Sequence, residues 1–218
     1  MPTPPSTARL RLLGLALFLP VPLVLALFTR QPLGVGASLA LGLLVMASHR
    51  SYARPFALRH AAARCLWCGG AALGGPELAL REPLGATLWR ACGEGHRDSL
   101  QRVFAWAGRR GRLLQAGILG GLLLLLALAP LAARGWAGPL QPADAVAVFQ
   151  LLVASSVLPL SLLGPRETPR AGSGAPPPEV PFPVHIQALV GTWAVLWLFR
   201  LVGLLWLWSS LRRLLVRA

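Results

Sequence analysis

Long apolar runs alternate along the chain with short arginine-bearing connectors, and the lengths of these runs set the first expectation. Leu12–Phe28 and Leu33–Ala47 are uncharged and are separated only by Thr29-Arg30-Gln31-Pro32. This pattern predicts a tight helical hairpin of two spans over 12–47, both short for a bilayer core about 30 Å thick. Pro20 and Pro22 kink the first span, which a membrane helix tolerates where its neighbours satisfy the freed carbonyls. Leu113–Ala133 is the clearest span, Ala145–Leu163 is the fourth and Val184–Trp208 the fifth. Runs this long and this poor in charge read as transmembrane helices. The fold class expected is therefore an all-α polytopic membrane protein of about five transmembrane helices. Residues 1–11 form a tail, 164–183 a Pro/Gly-rich loop and 209–218 a basic tail. Arg9 and Arg11 before an apolar run look like the start of a signal peptide, but no convincing small-x-small cleavage site follows.

The pattern changes between 48 and 112. Arg50–Arg64 is rich in alanine and arginine, and Pro55 suits the first turn of a short helix over Pro55–Arg64 lying along the membrane surface. In Glu77–Glu82 the residues Leu78 and Leu80 fall on one face of a strand. Pro83-Leu84-Gly85 is a turn signal, and Ala86–Ala91 returns as a second strand. Asp98 is placed to cap a helix, with Gln101 at its third position. Leu100, Val103, Phe104 and Ala107 then share one helical face. Gly108-Arg109-Arg110-Gly111-Arg112 ends or bends that helix. Farther on, Gly117 and Gly121 have the spacing that lets two helices approach closely, and Asp144 is the expected N-cap of the fourth span.

Charge gives these elements an orientation. The chain has 21 basic residues, all arginine, against seven acids, a net +14. In a soluble protein such an excess points to nucleic acid. Here it has a topological reading first, because arginines hold loops on the cytoplasmic side and meet anionic headgroups there. The segment from His49 to Arg112 holds eleven arginines against four acids, a net +7, and is placed in the cytoplasm. A fifth full span then carries Arg212 and Arg213 to the opposite side, which conflicts with the same rule. Abundant alanine, glycine and proline trace the missing lysine to coding bias. Compactness and composition place the chain in a bacterial plasma membrane.

The chemistry lies in the polar segment. Cys65-Leu-Trp-Cys68 is followed, after twenty-three residues, by Cys92-Gly-Glu-Gly-His96, and these are the three cysteines of the chain. An odd count does not suit a disulfide framework, and a reducing cytoplasm favours metal over disulfide. Two ligands on one tight turn, twice, is the arrangement a tetrahedral Zn2+ site needs. Gly69 after the second cysteine permits the turn in which amides face the thiolates. Cys92 and His96 share a face if they lie on a first helical turn. A c-type haem site needs His directly after the second cysteine, a thioredoxin-like pair needs a βαβ context, and an iron–sulfur site usually takes four cysteines. Against the metal stands the plain alternative that the cysteines are small packing residues.

The stretch from Cys65 to about Arg110 resembles a treble-clef or zinc-ribbon-like finger. Such a finger has a Cys-x-x-Cys-Gly knuckle, a hairpin and a second ligand pair at the start of a helix. The resemblance implies Cys65, Cys68, Cys92 and His96 as ligands of a structural Zn2+. The Cys-x-x-x-His pair departs from the usual Cys-x-x-Cys, which leaves His60 as an alternative to His96. A small module held by such a metal need not bury a sufficient core of its own.

Other polar residues carry weaker signals. Arg200 lies inside the fifth span and either snorkels to the near interface or takes a hydrogen bond to Gln150. His185 and Gln187 open that span, Trp67 and Trp89 pack the module, and Trp206 and Trp208 suit an interfacial aromatic belt. The reading that results is a non-enzymatic integral membrane protein whose zinc module is a cytoplasmic protein-interaction or assembly surface. Helix-mediated oligomers fit the glycine spacing. The alternatives are a membrane-tethered nucleic-acid-binding or regulatory protein, and a transporter or membrane enzyme component. The last class usually needs several intramembrane acids or histidines, and the first four spans contain essentially none.

Overall fold

The computed structural model describes residues 47, 51, 54–60, 63–83, 85–166, 177–180 and 184–217. Its elements are α1 (Arg54–His60), β1 (Glu77–Glu82), β2 (Gly85–Arg90), α2 (Glu94–Ala133), α3 (Pro142–Leu163), a 3-10 turn (Gly164–Arg166), α4 (His185–Val190) and α5 (Thr192–Arg217). Three of these helices, α2, α3 and α5, are long and apolar enough to cross a membrane. The described residues thus support three spans rather than five, in a mostly helical chain with one small β-hairpin. Of the expected hairpin over 12–47, all but Ala47 lies outside the described residues.

The three long helices form an antiparallel bundle with α3 in the middle. Small residues set the spacing. A Cβ on Gly117 would lie 1.6 Å from Ser156 Oγ, and one on Gly121 would lie 3.4 Å from Leu152 and Phe149. On the other side of α3, Gly203 faces Leu158. The glycine spacing in α2 is therefore a packing device, as lipid-embedded helices need when no hydrophobic force drives them together. Leucines such as Leu119, Leu123, Leu201 and Leu205 point outward and are exposed.

Several boundaries differ from expectation. The helix bearing Leu100, Val103, Phe104 and Ala107 neither begins at Asp98 nor ends at Gly108. It starts at Glu94, with Gly93 as N-cap, and runs 40 residues without interruption. Gly108 serves a neighbour rather than a bend, since a Cβ there would meet Glu179 O at 2.5 Å. The described part of α1 is Arg54–His60, and the expected helix end at Arg64 is not reached as helix, because Arg64 and Cys65 are bridged to Ala71 and Arg90. Helix α3 is capped by Gln141, not Asp144. Asp144 sits at the third helical position and accepts from Gln141 N–H at 2.8 Å, completing a capping box.

The expected fifth span, Val184–Trp208, is divided. It breaks at Gly191, with φ +91°, into short α4 and a longer α5 that absorbs the basic tail as far as Arg217. The loop before it is also not wholly a linker. Arg81 N–H donates to Pro178 O at 3.0 Å, and Val180 N–H donates to Arg81 O at 2.8 Å, so residues 178–180 lie along the edge of β1.

The hairpin over Glu77–Glu82 and Gly85–Arg90 has the expected antiparallel register, Leu80 opposite Thr87. Leu78, Leu80 and Trp89 are buried in a core that also takes Leu100 and Phe104 from α2 and Val180, Val184, Ala188 and Leu196 from the C-terminal third. The module and the bundle therefore share one core.

Candidate metal centre

The first ligand pair sits on a backbone knuckle. Cys65 N–H donates to Gly70 O and Gly69 N–H to Cys65 O, both at 2.8 Å, closing a turn that brings the Cys65 and Cys68 side chains together. Gly70 N–H donates to Cys68 Sγ at 3.4 Å. Arg64 reaches across the turn to Gly69 O. The second pair straddles the start of α2, with Cys92 just before the N-cap Gly93 and His96 in the first turn, so the two do not both lie on a helical turn as expected. His96 and Arg97 N–H both return to Gly93 O.

The hairpin between the pairs returns the chain, so all four donor atoms lie within 4.8 Å of one another. Cys65 is buried, Cys68 and His96 are half-buried and Cys92 is exposed. A tetrahedral ion with Zn–S near 2.3 Å and Zn–N near 2.0 Å requires S···S edges of about 3.8 Å and S···N edges of about 3.5 Å. Cys68 Sγ is 3.9 Å from Cys92 Sγ, and Cys65 Sγ is 3.6 Å from His96 Nδ1. Cys92 Sγ to His96 Nδ1 is shorter, 2.9 Å, and an ion would open that edge. Both contacts of His96 run through Nδ1, the nitrogen turned toward the sulfurs. The four can hold a metal ion. Among the two histidines weighed, His96 joins the cluster; the side chain of His60 lies outside the described residues.

Electrostatics separates the thiols. Burial opposes ionisation of Cys65, but the backbone amides of Cys68, Cys92 and Trp67 outweigh it and hold its pKa below the usual thiol value. The Cys92 thiol is pushed up to about 11, first by partial desolvation on the side facing the cluster and then by its hydrogen bond and charge interaction with Cys65 and Cys68. Three crowded thiols cannot all ionise without a cation between them, and a divalent ion reverses that repulsion.

The knuckle has a second partner that composition and spacing did not reveal. Leu66 O accepts from Thr192 N–H at 2.8 Å and from Thr192 Oγ1 at 2.9 Å, and Trp67 O accepts from Trp193 N–H at 3.0 Å. The first amides of a helix lack intrahelical partners; here carbonyls from between the two cysteines satisfy those of α5. The approach requires glycine on both sides. Gly69 has φ +71° and its Cβ position lies 3.2 Å from Val190 C and O; at Gly191 the Cβ position lies 2.7 Å from Trp67 O.

Glu82 is the other residue whose role the pattern hid. It is buried at the end of β1, yet accepts from Trp89 Nε1 and Val184 N–H, both at 3.1 Å, and from Thr87 Oγ1. Three donors offset the cost of burying its carboxylate. Trp67 and Trp89 pack as expected, Trp89 fully and Trp67 partly, with Trp67 6.4 Å from the His96 ring.

In the bundle, Arg200 does not pair with Gln150. Its Nε and Nη2 donate to Ser161 O at 3.1 and 2.7 Å, and the guanidinium lies 4.8 Å from the Trp197 ring. Gln150 instead accepts from Ser209 and Ser210. Arg213 pairs with Asp144 at 2.9 Å. Of the residues opening the expected fifth span, Gln187 is buried and accepts from Thr192 Oγ1 at 3.0 Å; the side chain of His185 lies outside the described residues. No family model, curated protein or solved structure matches the chain.

Proposed function

We propose that this chain is a non-enzymatic integral membrane protein in which a structural Zn2+, bound by Cys65, Cys68, Cys92 and His96, holds a cytoplasmic interaction module to a helical bundle. The carrying observation is the convergence of two distant ligand pairs, 24 residues apart between Cys68 and Cys92, on one point of tetrahedral size. Four protein donors fill a tetrahedron and leave no open position for water or substrate, so the ion is structural. Zinc fits better than other metals because three thiolates and an imidazole are its usual structural donor set. The arginine excess of the module supports the cytoplasmic orientation, in the plasma membrane of a bacterium.

The module presents Leu73 at 81% and Leu88 at 54% exposure, both beside the metal knuckle or on the hairpin. Exposed leucines on a rigid hairpin favour a protein partner. Nucleic acid is less favoured, because Arg90 and Arg97 are occupied by Glu77 and Glu94 at 2.9 and 3.0 Å.

Metal analysis of the protein purified in detergent tests the core of this reading. About one zinc per chain is expected, with loss in Cys65→Ser and Cys92→Ser. A metal-free wild type with an intact, protease-resistant module would overturn it. Photocrosslinkers placed at positions 73 and 88 in cells should capture a common protein, and nucleic acid in their place would favour the tethered-regulator alternative.

A further inference from the structure

A cleft of about 190 Å³ opens between the knuckle and the bundle, lined by Trp67, Pro165, Trp193, Leu196, Trp197 and Arg200. Its walls are indole, proline and leucine, and its one charge is Arg200. Trp193 and Trp197 are 54% and 44% exposed, so the cleft faces outward from the bundle. It lies at the metal end of α5, because Arg200 is about 12 Å along the helix axis from Thr192. That end also carries Arg166 and the arginines at 109, 110 and 112.

Arg200 is held but not neutralised. Two of its nitrogens donate to Ser161 O, a carbonyl in the last turn of α3 that lacks an intrahelical donor. No carboxylate pairs with it among the described residues. A lone guanidinium inside an apolar span is costly unless it reaches an anion at the headgroup level. Tryptophan prefers that same depth, with its ring against glycerol and upper acyl carbons.

We infer that this cleft is a binding site for one anionic phospholipid of the leaflet on the module's side, its phosphate on Arg200 and its glycerol and upper acyl chain against Trp193 and Trp197. Charge complementarity and the apolar walls argue for a lipid over a free anion. The site rests on the membrane reading above but not on the identity of the metal.

Native mass spectrometry of the full chain released from detergent, with equimolar phosphatidylglycerol and phosphatidylcholine, tests it. The wild type should retain phosphatidylglycerol over phosphatidylcholine by about fivefold. Arg200→Gln should bring that ratio to parity, whereas Arg134→Gln, on the far loop, should leave it unchanged. Trp193→Ala should weaken retention of phosphatidylglycerol without touching any charge, and carries the test if Arg200→Gln does not fold. Equal retention of both lipids by wild type, or wild-type retention by Arg200→Gln and Trp193→Ala, would overturn the site. Full displacement of lipid by millimolar inorganic phosphate would show an anion site instead. A chain that stays soluble and monomeric without detergent would overturn the membrane reading itself, a separate outcome.

Discussion

The metal module and the far half of the bundle are held together in opposite ways. The module is joined by hydrogen bonds between segments distant in sequence: backbone to backbone from Leu66 and Trp67 to Thr192 and Trp193 and from Arg81 to Pro178 and Val180, and from Val184 N–H to the Glu82 carboxylate. The far half of the bundle is joined by side chains instead: Ser209 and Ser210 reach Gln150, Arg213 reaches Asp144, and the helices approach closely at Gly117, Gly121 and Gly203. On the proposed membrane reading, the difference follows from solvent. A module of this size in water buries too little apolar surface to stand alone and would gain from a metal and from the edge segment at 178–180. Helices in lipid gain nothing from hiding leucine, so shape decides their association.

Removing the metal should have the largest effect, and only on one side of this contrast. Structural zinc contributes about 10–16 kcal/mol in isolated finger peptides. Because the metal-free Cys92 thiol sits at about 11, it carries its proton at neutral pH and must release it on loading. Falling pH therefore opposes binding and rising pH favours it. Acidification or a strong chelator should open residues 63–96 to protease while α3 stays protected; simultaneous loss of both would mean that the two regions fold as a unit. Proton release on zinc addition, followed with a pH indicator, gives the sign directly.

Gly191→Ala comes next. It places a Cβ 2.7 Å from Trp67 O at a φ that disfavours any side chain, at a cost of about 2–4 kcal/mol. The expected outcome is a lower Tm with zinc still bound, because no ligand is touched. Loss of zinc in this variant would show that docking on α5 is needed for the site to form. Gly117→Val acts on the other region. It forces α2 from Ser156 and should cost about 1–3 kcal/mol, read as reduced thermal stability in detergent with unchanged metal content.

Asp144→Asn should have the smallest effect. The amide keeps an oxygen for Gln141 N–H, and the lost ion pair involves a half-exposed Arg213. A change below about 1 kcal/mol is expected, and a larger one would show that this end of the bundle is dry.

Local signals were legible in the sequence where a residue's role is set by its near neighbours. The Cys-x-x-Cys-Gly knuckle, the strand alternation at Leu78 and Leu80, the apolar face from Leu100 to Ala107 and the glycine pair in α2 all act over a few residues. The order of knuckle, hairpin and second pair at a helix start was also readable. What was not legible depends on distant chain. Gly191 is one more glycine in an apolar run until the carbonyls of Leu66 and Trp67 give the helix a reason to restart there. Glu82 falls on the same strand face as Leu78 and Leu80, and what a carboxylate does there is hidden until Val184 donates to it. The glycine-arginine run from Gly108 to Arg112 suggested an end or bend, but Gly108 packs on Glu179, Gly111 is buried and arginine is a good helix former. Arg200 and Gln150 were matched by depth, whereas side-chain reach and the open carbonyl of Ser161 decided the actual partner.

The unbroken course of α2 makes it a lever. His96 lies in its first turn, and Ala133 lies about 55 Å farther along the same axis. A tilt of a few degrees at the Cys/His end becomes a displacement of several ångströms at the other, a span longer than the hydrocarbon core of a bilayer. On the proposed function, a partner that pulls on the module would move the opposite end of the bundle without passing through a joint.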